Sequence, residues 1–421
     1  MRAEIVAVGT ELLLGQIVNT NARWISERLA GSGMDVLHHQ VVGDNLERIV
    51  DALRVAASRA DVVLVTGGLG PTKDDITRDA IAELLGTPME RHPEIEEMLR
   101  EKFAGFSSRP MPISNLRQAD VPVGARTILP ERGTAPGLTA ELPDGTVLYA
   151  VPGVPAEMRE MMDGTILPEL RGRTGAVIVS SVIRLTGLGE SAVAEMLDDL
   201  FEASTNPSVA YLASMGEVKV RLTAKASSRS DARLLLRPVV DEISGRLGDV
   251  VFSVADASLE ETVLQLLAGR GLTLACAESL TGGSVAARLT AVPGASRSFL
   301  GSAVVYGLDS KQRILGVAPE TLDDPGVVSE ACALELAAGA RRRFGSDIAL
   351  ALTGAAGPEP HGGQPPGTVW IAIDAGDIAH ARGFHVSGER ARVVGWSQQA
   401  GLDLVRRYLA GLPLPASDTT I

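Results

Sequence analysis

DVVLVTGGLGPTKDD, residues 61–75, is the stretch on which the fold turns. Its apolar run ends at glycines 67, 68 and 70, and a helical stretch opens near Ile76. A short apolar run that stops at glycine and leads into a helix is the strand–turn–helix step of a parallel sheet covered by helices. Glycines let backbone N–H groups approach an anion, and the following helix N-terminus adds positive potential. Gly67, Gly68, Gly70 and Thr72 are therefore candidate phosphate contacts. Asp74 and Asp75 sit where a hard divalent cation bridges protein and phosphate oxygens. The same residues also read as a tight turn whose acidic side chains favour the helix dipole. The loop has neither the Lys-Ser/Thr ending of a P-loop nor the spacing of a dinucleotide fingerprint. Alone, it leaves both readings open.

The flanks repeat the rhythm. AEIVAV (3–8) reads as a buried strand ending at Gly9, followed by a helix over 19–31 capped by Asn19 or Thr20 and stopped at Gly31 or Gly33. A strand near 34–42, a helix over 45–58, the strand TVLYAVPG (146–153) and a helix near 155–163 continue a doubly wound α/β domain. Glu11, Asn19, Asp44 and Glu157 fall at strand ends or just beyond, where open sheets place ligands, although each also reads as a cap or turn residue. Asp44 is counted as a third candidate metal ligand. Pro168 and RGRTG (171–175) mark a boundary, giving a first domain over 1–170.

Residues 176–254 change rhythm. A strand at 176–185, a helix at 189–201, the alternating strand 217–224, a helix at 229–246 and a strand at 249–254 suggest a small split-βαβ, α+β domain of order β-α-β-β-α-β. A third domain, 256–412, is again α/β: Ser258 caps its first helix, and strands are expected at 271–277, 299–306, 347–353 and 367–374, with helices at 278–291, 328–344 and 388–410. The tail from Pro413 to Ile421 is expected to be loose.

The chemistry of the third domain lies in CAESLTGGSVAARL (276–289). Ser279 or Thr281 supplies a hydroxyl on a strand-to-helix turn, and Gly282 and Gly283 free backbone N–H groups for an oxyanion or phosphate. Both hydroxyls also suit a helix cap. No histidine lies nearby to act as base, so Lys311 is the better partner, since Ser–Lys pairs work when burial depresses the lysine pKa. Cys276 and Cys332 read as buried packing residues, and no CxxC or paired Cys/His spacing marks a zinc site.

Composition sets the outer limits. A chain of 421 residues allows two or three domains, and 45% hydrophobic with 22% charged residues excludes bulk disorder. With only 3% aromatics the cores must be built from Ala, Val, Leu and Ile. A net charge of −13 argues against a general nucleic-acid or anionic-membrane surface. Two cysteines rule out a disulfide framework, and no apolar run reaches the roughly 18 residues of a membrane span. Glu4 and Glu11 interrupt the apolar start, so no signal peptide is expected. The expectation is a soluble cytoplasmic protein.

Taken in order, VGTELLLGQIVNTNA (8–22), TGGLGPTKDD (66–75), RGTAPG (132–137), PGVPAEM (152–158), AESLTGG (277–283), VPGASRSFLG (292–301), LTGAAGP (352–358) and PPGTVW (365–370) resemble the competence/damage-inducible protein family CinA. The resemblance covers nearly the whole chain. It implies an N-terminal molybdopterin-binding-like (MoCF-like) domain with metal-dependent ADP-ribose pyrophosphatase activity, using a divalent metal such as Mg, Mn or Co. It implies a KH-like middle domain; residues 187–190 read Gly-Leu-Gly-Glu rather than GxxG, so RNA binding is not expected there. The C-terminal domain resembles nicotinamide mononucleotide (NMN) amidohydrolases, which need no cofactor. By that resemblance Ser279 is the nucleophile, Lys311 its base, and Tyr306 a positioning or proton-relay group. Thr353 lines the nucleotide pocket, and Arg390, in Gly388-Glu389-Arg390, takes the substrate phosphate. Relatives carry Cys where this chain has Leu280, and Tyr-Ser-Asn-Glu-Ala-Lys where it has Tyr306-Gly-Leu-Asp-Ser-Lys311. A homodimer acting in NAD recycling is implied. A molybdopterin or nucleotide binder without turnover, or a competence or DNA-damage scaffold, is the competing expectation.

Overall fold

The computed structural model describes residues 1–106, 109–417 and 419–420. The chain forms two compact units: Met1–Val179 with Ala224–Leu235, and Ser180–Thr223 with Leu236–Ile421. The residues expected as a separate middle domain are thus shared between them.

The first unit is built on a six-stranded sheet in the order Asp35–Val42, Arg2–Val8, Val62–Thr66, Val147–Val151, Gly137–Glu141, Arg126–Ile128. The first four strands run parallel, and the last two turn antiparallel. The quoted strand is central. Its alternate residues feed opposite cores: Val63 and Val65 pack in one, Val62 and Leu64 in the other. A strand covered on both faces must be apolar throughout, which is why it reads as an unbroken run. Glu4 is the exception on the neighbouring strand. It is buried, and its carboxylate accepts bonds from Arg59 Nε (2.8 Å), Arg59 Nη2 (2.7 Å) and Gln40 (2.8 Å). Asn19 caps the helix Thr20–Ala30 through the amide of Ala22.

The residues expected to mark the first boundary, 168–175, are helical up to Thr174. The helix from Pro155 runs through a π turn at Met162–Ile166 into Leu167–Thr174. Pro168 falls just after the π turn, and Gly175 ends the segment in the left-handed region. The small four-stranded sheet has the order Ser208–Ser214, Glu217–Ala226, Val177–Thr186, Val251–Ser253. Ser208–Ser214 is the strand the sequence left unplaced, and the helix expected over 189–201 breaks at Leu197 into two.

The C-terminal sheet has the order Phe299–Val304, Leu274–Glu278, Ile348–Gly354, Thr368–Asp374, Ala379–His385, with Thr419–Thr420 at its edge. Its first three strands are parallel and the next two antiparallel. The expected loose tail is in part this parallel edge pairing; residues 418 and 421 lie outside the described ones. A helix, Leu308–Leu315, and the strand Ala379–His385 were not anticipated. Side-chain size is sorted by face. Leu350 and Leu352 pack in one core, while Ala349 and Ala351 pack in the other with Ala333, Ala337 and Ala340 of the helix Glu330–Phe344. Alanine against alanine lets that helix sit close.

Gly339, on the same helix, marks the tightest approach: a Cβ there would overlap the carbonyl oxygen of Leu315 and lie 2.9 Å from that residue's Cβ. Helix propensity alone favours Gly→Ala by about 1 kcal/mol. Overpacking costs about 1–3 kcal/mol or more. Gly339→Ala is therefore expected to lower the melting transition by several degrees in calorimetry, where propensity alone would raise it.

Candidate functional sites

Ser279 follows the buried strand Leu274–Glu278 and opens the turn before the helix Ser284–Thr290. Lys311 comes from the helix Leu308–Leu315, directly beyond the neighbouring strand. The two meet: Lys311 Nζ donates to Ser279 Oγ at 2.9 Å and to the carbonyls of Val305 (2.6 Å) and Tyr306 (3.4 Å). Lys311 is 1% exposed, and no carboxylate pairs with it among the described residues. Desolvation pulls its pKa below 10.5, which favours the neutral amine. Once deprotonated, an amine 2.9 Å from a serine hydroxyl is within reach of its proton. Thr281 is not in this pair. It is 5% exposed, and its hydroxyl has no partner among the described residues.

Ser279 lines a pocket of about 260 Å³ with Leu280, Tyr306, Gly354, the loop Ala356–His361 and Arg390. Arg390 begins the helix Arg390–Ala410, whose N-terminus carries no side-chain cap. It donates to the Tyr306 hydroxyl (2.8 Å) and to Gly357 O (3.0 Å), both neutral. A guanidinium without a carboxylate partner beside an uncapped helix N-terminus suits an anion.

The geometry corrects four expectations here. The amides of Gly282 and Gly283 are not free for an oxyanion: Gly282 donates to Ser279 O (3.1 Å) and Gly283 to Glu278 Oε2 (3.0 Å). Glu278, fully buried, also takes the amides of Val285 (3.0 Å) and Ala286 (2.9 Å) and the hydroxyl of Ser302 (2.9 Å). The amides of Leu280 and Thr281 donate to nothing among the described residues. Tyr306 meets Lys311 through its carbonyl; its phenol serves Arg390. Thr353 is 1% exposed and donates to Val327 O at 2.7 Å, so the pocket wall at that strand end is Gly354. The expectation that no histidine is near also fails in space, because His361 lines the pocket, as does Glu359. The only sequence signal for both was the Gly/Pro-dense loop PEPHGGQPPG between two strands. Cys276 is buried, and burial raises its thiol pKa. Cys332 is buried too, with its pKa pushed up to about 11, as inert packing requires.

The second site lies in the first unit. A pocket of about 420 Å³ is lined by Gly67–Pro71, Asp74, Asp75, Glu11, Asp44, Gln118 and Glu157, among others. Gly67 and Gly68 have φ of 106° and 67°, and a Cβ on Gly67 would overlap the carbonyl of Val8, so glycine is required. Thr72 points to Asp75, donating its amide at 2.8 Å and its hydroxyl to the same oxygen. Asp44 accepts the Thr10 amide at 2.9 Å. Among the described residues no three His, Cys, Asp or Glu side chains converge to hold a metal ion. Asp44, Asp74 and Asp75 share the pocket but do not form the ligand shell expected of them, because Asp44 and Asp75 are drawn to neighbouring backbone and hydroxyl donors. Glu157 is raised above the usual carboxylate range by burial and then by Glu160. Nothing in the sequence singles out Arg78, buried behind the loop, which donates to Leu69 O and Gly70 O.

The fold and sites together define a multidomain α/β protein with a buried Ser–Lys pair in one domain and a glycine-lined acidic pocket in another. Residues 256–409 match the family model "CinA C-terminal domain", residues 4–172 "Probable molybdopterin binding domain", and residues 180–253 "Damage-inducible protein CinA KH domain". A CinA-like protein of Frankia casuarinae is 46% identical, covering 100% of this chain and 99% of that protein. One from Dictyoglomus turgidum is 42% identical, covering 98% and 100%. Among solved structures, the protein CinA of Thermoplasma acidophilum, titled as of unknown function, is 34% identical over 40% of this chain and 97% of that one, with a TM-score of 0.38. The chain belongs to the CinA family. No helix among the described residues is long and apolar enough to cross a membrane.

Burial of Lys311 has a measurable consequence. Its folded pKa lies below the ordinary 10.5, so between those two values the unfolded chain binds more protons than the folded one. Stability therefore rises with pH across that window. Denaturant titrations in the alkaline range are expected to reveal this rise in the wild type and its loss in Lys311→Met.

Proposed function

We propose that the C-terminal domain hydrolyses the carboxamide of NMN, giving nicotinic acid mononucleotide and ammonia. The observation that carries this reading is the 2.9 Å contact between Lys311 Nζ and Ser279 Oγ. Neutral Lys311 takes the Ser279 proton while Oγ attacks the carboxamide carbon. The developing oxyanion is met by the uncommitted amides of Leu280 and Thr281, the positions that follow the nucleophile. Collapse breaks the C–N bond, and Lys311 returns its proton to the leaving ammonia. Water, deprotonated by Lys311, then cleaves the ester and restores Ser279. Arg390 and the helix end behind it hold the 5′-phosphate, so that binding energy distant from the amide orients it.

For the first unit the same reading is a nucleotide diphosphate pocket, with ADP-ribose as substrate. It is supported by the glycine loop, whose Gly68, Leu69 and Gly70 amides donate to nothing among the described residues. Among the described residues no three His, Cys, Asp or Glu side chains converge on a metal shell, and the divalent ion is assigned to the substrate's own phosphates rather than to a cage. Glu157, with its raised pKa inside the pocket, is the candidate for moving a proton there. Both substrates belong to cytosolic NAD turnover.

Ammonia release from NMN tests the first reading. Ser279→Ala and Lys311→Met, each checked for folding by circular dichroism, are expected to lose activity by about a thousand-fold or more. A folded Ser279→Ala protein that works at the wild-type rate removes Ser279 as nucleophile. For the second site, EDTA is expected to stop ADP-ribose hydrolysis and leave the melting temperature unchanged, because no structural metal is lost. A chelator-induced drop in melting temperature contradicts that.

A further inference from the structure

The glycine loop of the first unit is gripped by its carbonyls. Thr77 Oγ1 donates to Gly67 O (2.8 Å) and the Thr77 amide to Gly68 O (3.1 Å). Arg78 Nη1 donates to Leu69 O (2.8 Å) and Nη2 to Gly70 O (2.7 Å). Further along, Arg117 Nη1 takes Thr72 O at 2.9 Å. Every carbonyl from 67 to 70 is therefore engaged by two consecutive residues at the start of the helix Thr77–Leu85. What the loop has left to offer is its amides. Five carboxylates line the pocket (Glu11, Asp44, Asp74, Asp75 and Glu157), and none of its lining residues is a lysine or arginine. An anion entering such a pocket needs fixed positive charge from behind the wall.

We propose that Arg78 is the positioning residue of this site. Its guanidinium, 3% exposed, pins the carbonyls of Leu69 and Gly70 so that the amides of 68–70 stay available to diphosphate oxygens, and it sets a permanent positive charge directly behind them. The proposal rests on the diphosphate reading of the pocket. Burial lowers the Arg78 pKa only to about 10, and Asp75 and Asp79 support its charge, so it is protonated at neutral pH. Charge buried in low dielectric is felt strongly across a few ångströms, which offsets the repulsion of the lining carboxylates. A planar fork with two parallel donors fits two successive carbonyls; a lysine keeps the charge but cannot span both.

The test uses the full chain with Arg78→Lys and Arg78→Gln, titrated calorimetrically with inorganic diphosphate and assayed on ADP-ribose. Arg78→Lys is expected to weaken diphosphate binding about 3- to 10-fold and Arg78→Gln about 30-fold or more, with KM rising by similar factors and kcat within about threefold. A merely structural role predicts equal damage from both variants and a fall in kcat at constant KM; that pattern overturns the proposal. Circular dichroism and a thermal melt of each variant report whether the chain is folded, and if Arg78→Gln is not, Arg78→Lys carries the comparison. Wild type that binds diphosphate with variants that match it overturns the role of Arg78 alone. Wild type that binds no diphosphate overturns the pocket reading and this proposal with it.

Discussion

A lysine amine buried without a countercharge governs the C-terminal domain. Lys311 is surrounded by an alanine-rich packing layer and holds only neutral oxygens: one hydroxyl and two carbonyls. Such a group is tolerable when it is neutral, and it becomes costly when protonated. The helix Glu330–Phe344, the alanine face of the central strand and Val305, whose carbonyl the amine meets, belong to one small-residue core.

The two sites use the same strand–turn–helix step with opposite polarity. In the first unit Thr77 and Arg78 consume the loop's carbonyls, and the amides remain. In the C-terminal domain Glu278 consumes the amides of the helix start, and the hydroxyl of Ser279 remains, with two adjacent N–H groups. One charged residue beside each turn decides which backbone atoms stay free: a buried arginine takes carbonyls and leaves amides, and a buried glutamate takes amides. Glycine content alone cannot distinguish the two.

That is also where the sequence stopped being legible. The alternating strands and helices, the loop 66–75 and the pairing of Ser279 with Lys311 could all be read, because buried parallel strands are apolar throughout and because no histidine stands near Ser279 in the sequence, although the fold brings His361 to the same pocket. Arg78 could not. Within TRDA it looks like any charged residue in a first helical turn, and only the fold turns it under the loop. Glu278 reads as a strand-end carboxylate until its three amide donors are seen. Leu308–Leu315 is short and polar on average, and its amphipathic pattern is centred on Lys311, a residue that reads as exposed, so the helix that delivers this buried lysine is not evident in the sequence. Ala379–His385, with two histidines, an arginine and a glycine, lacks the apolar alternation of a strand and is held by its pairing with Thr368–Asp374. His361 and Glu359 enter the pocket through loop geometry that no local pattern encodes.

Arg390 rests on a phenol and a peptide carbonyl rather than on a carboxylate. Under the proposed reading an incoming phosphate meets an arginine with no carboxylate partner among the described residues, and it exchanges two neutral acceptors for an anionic one. The side chain that would receive it is already held at the rim of the pocket.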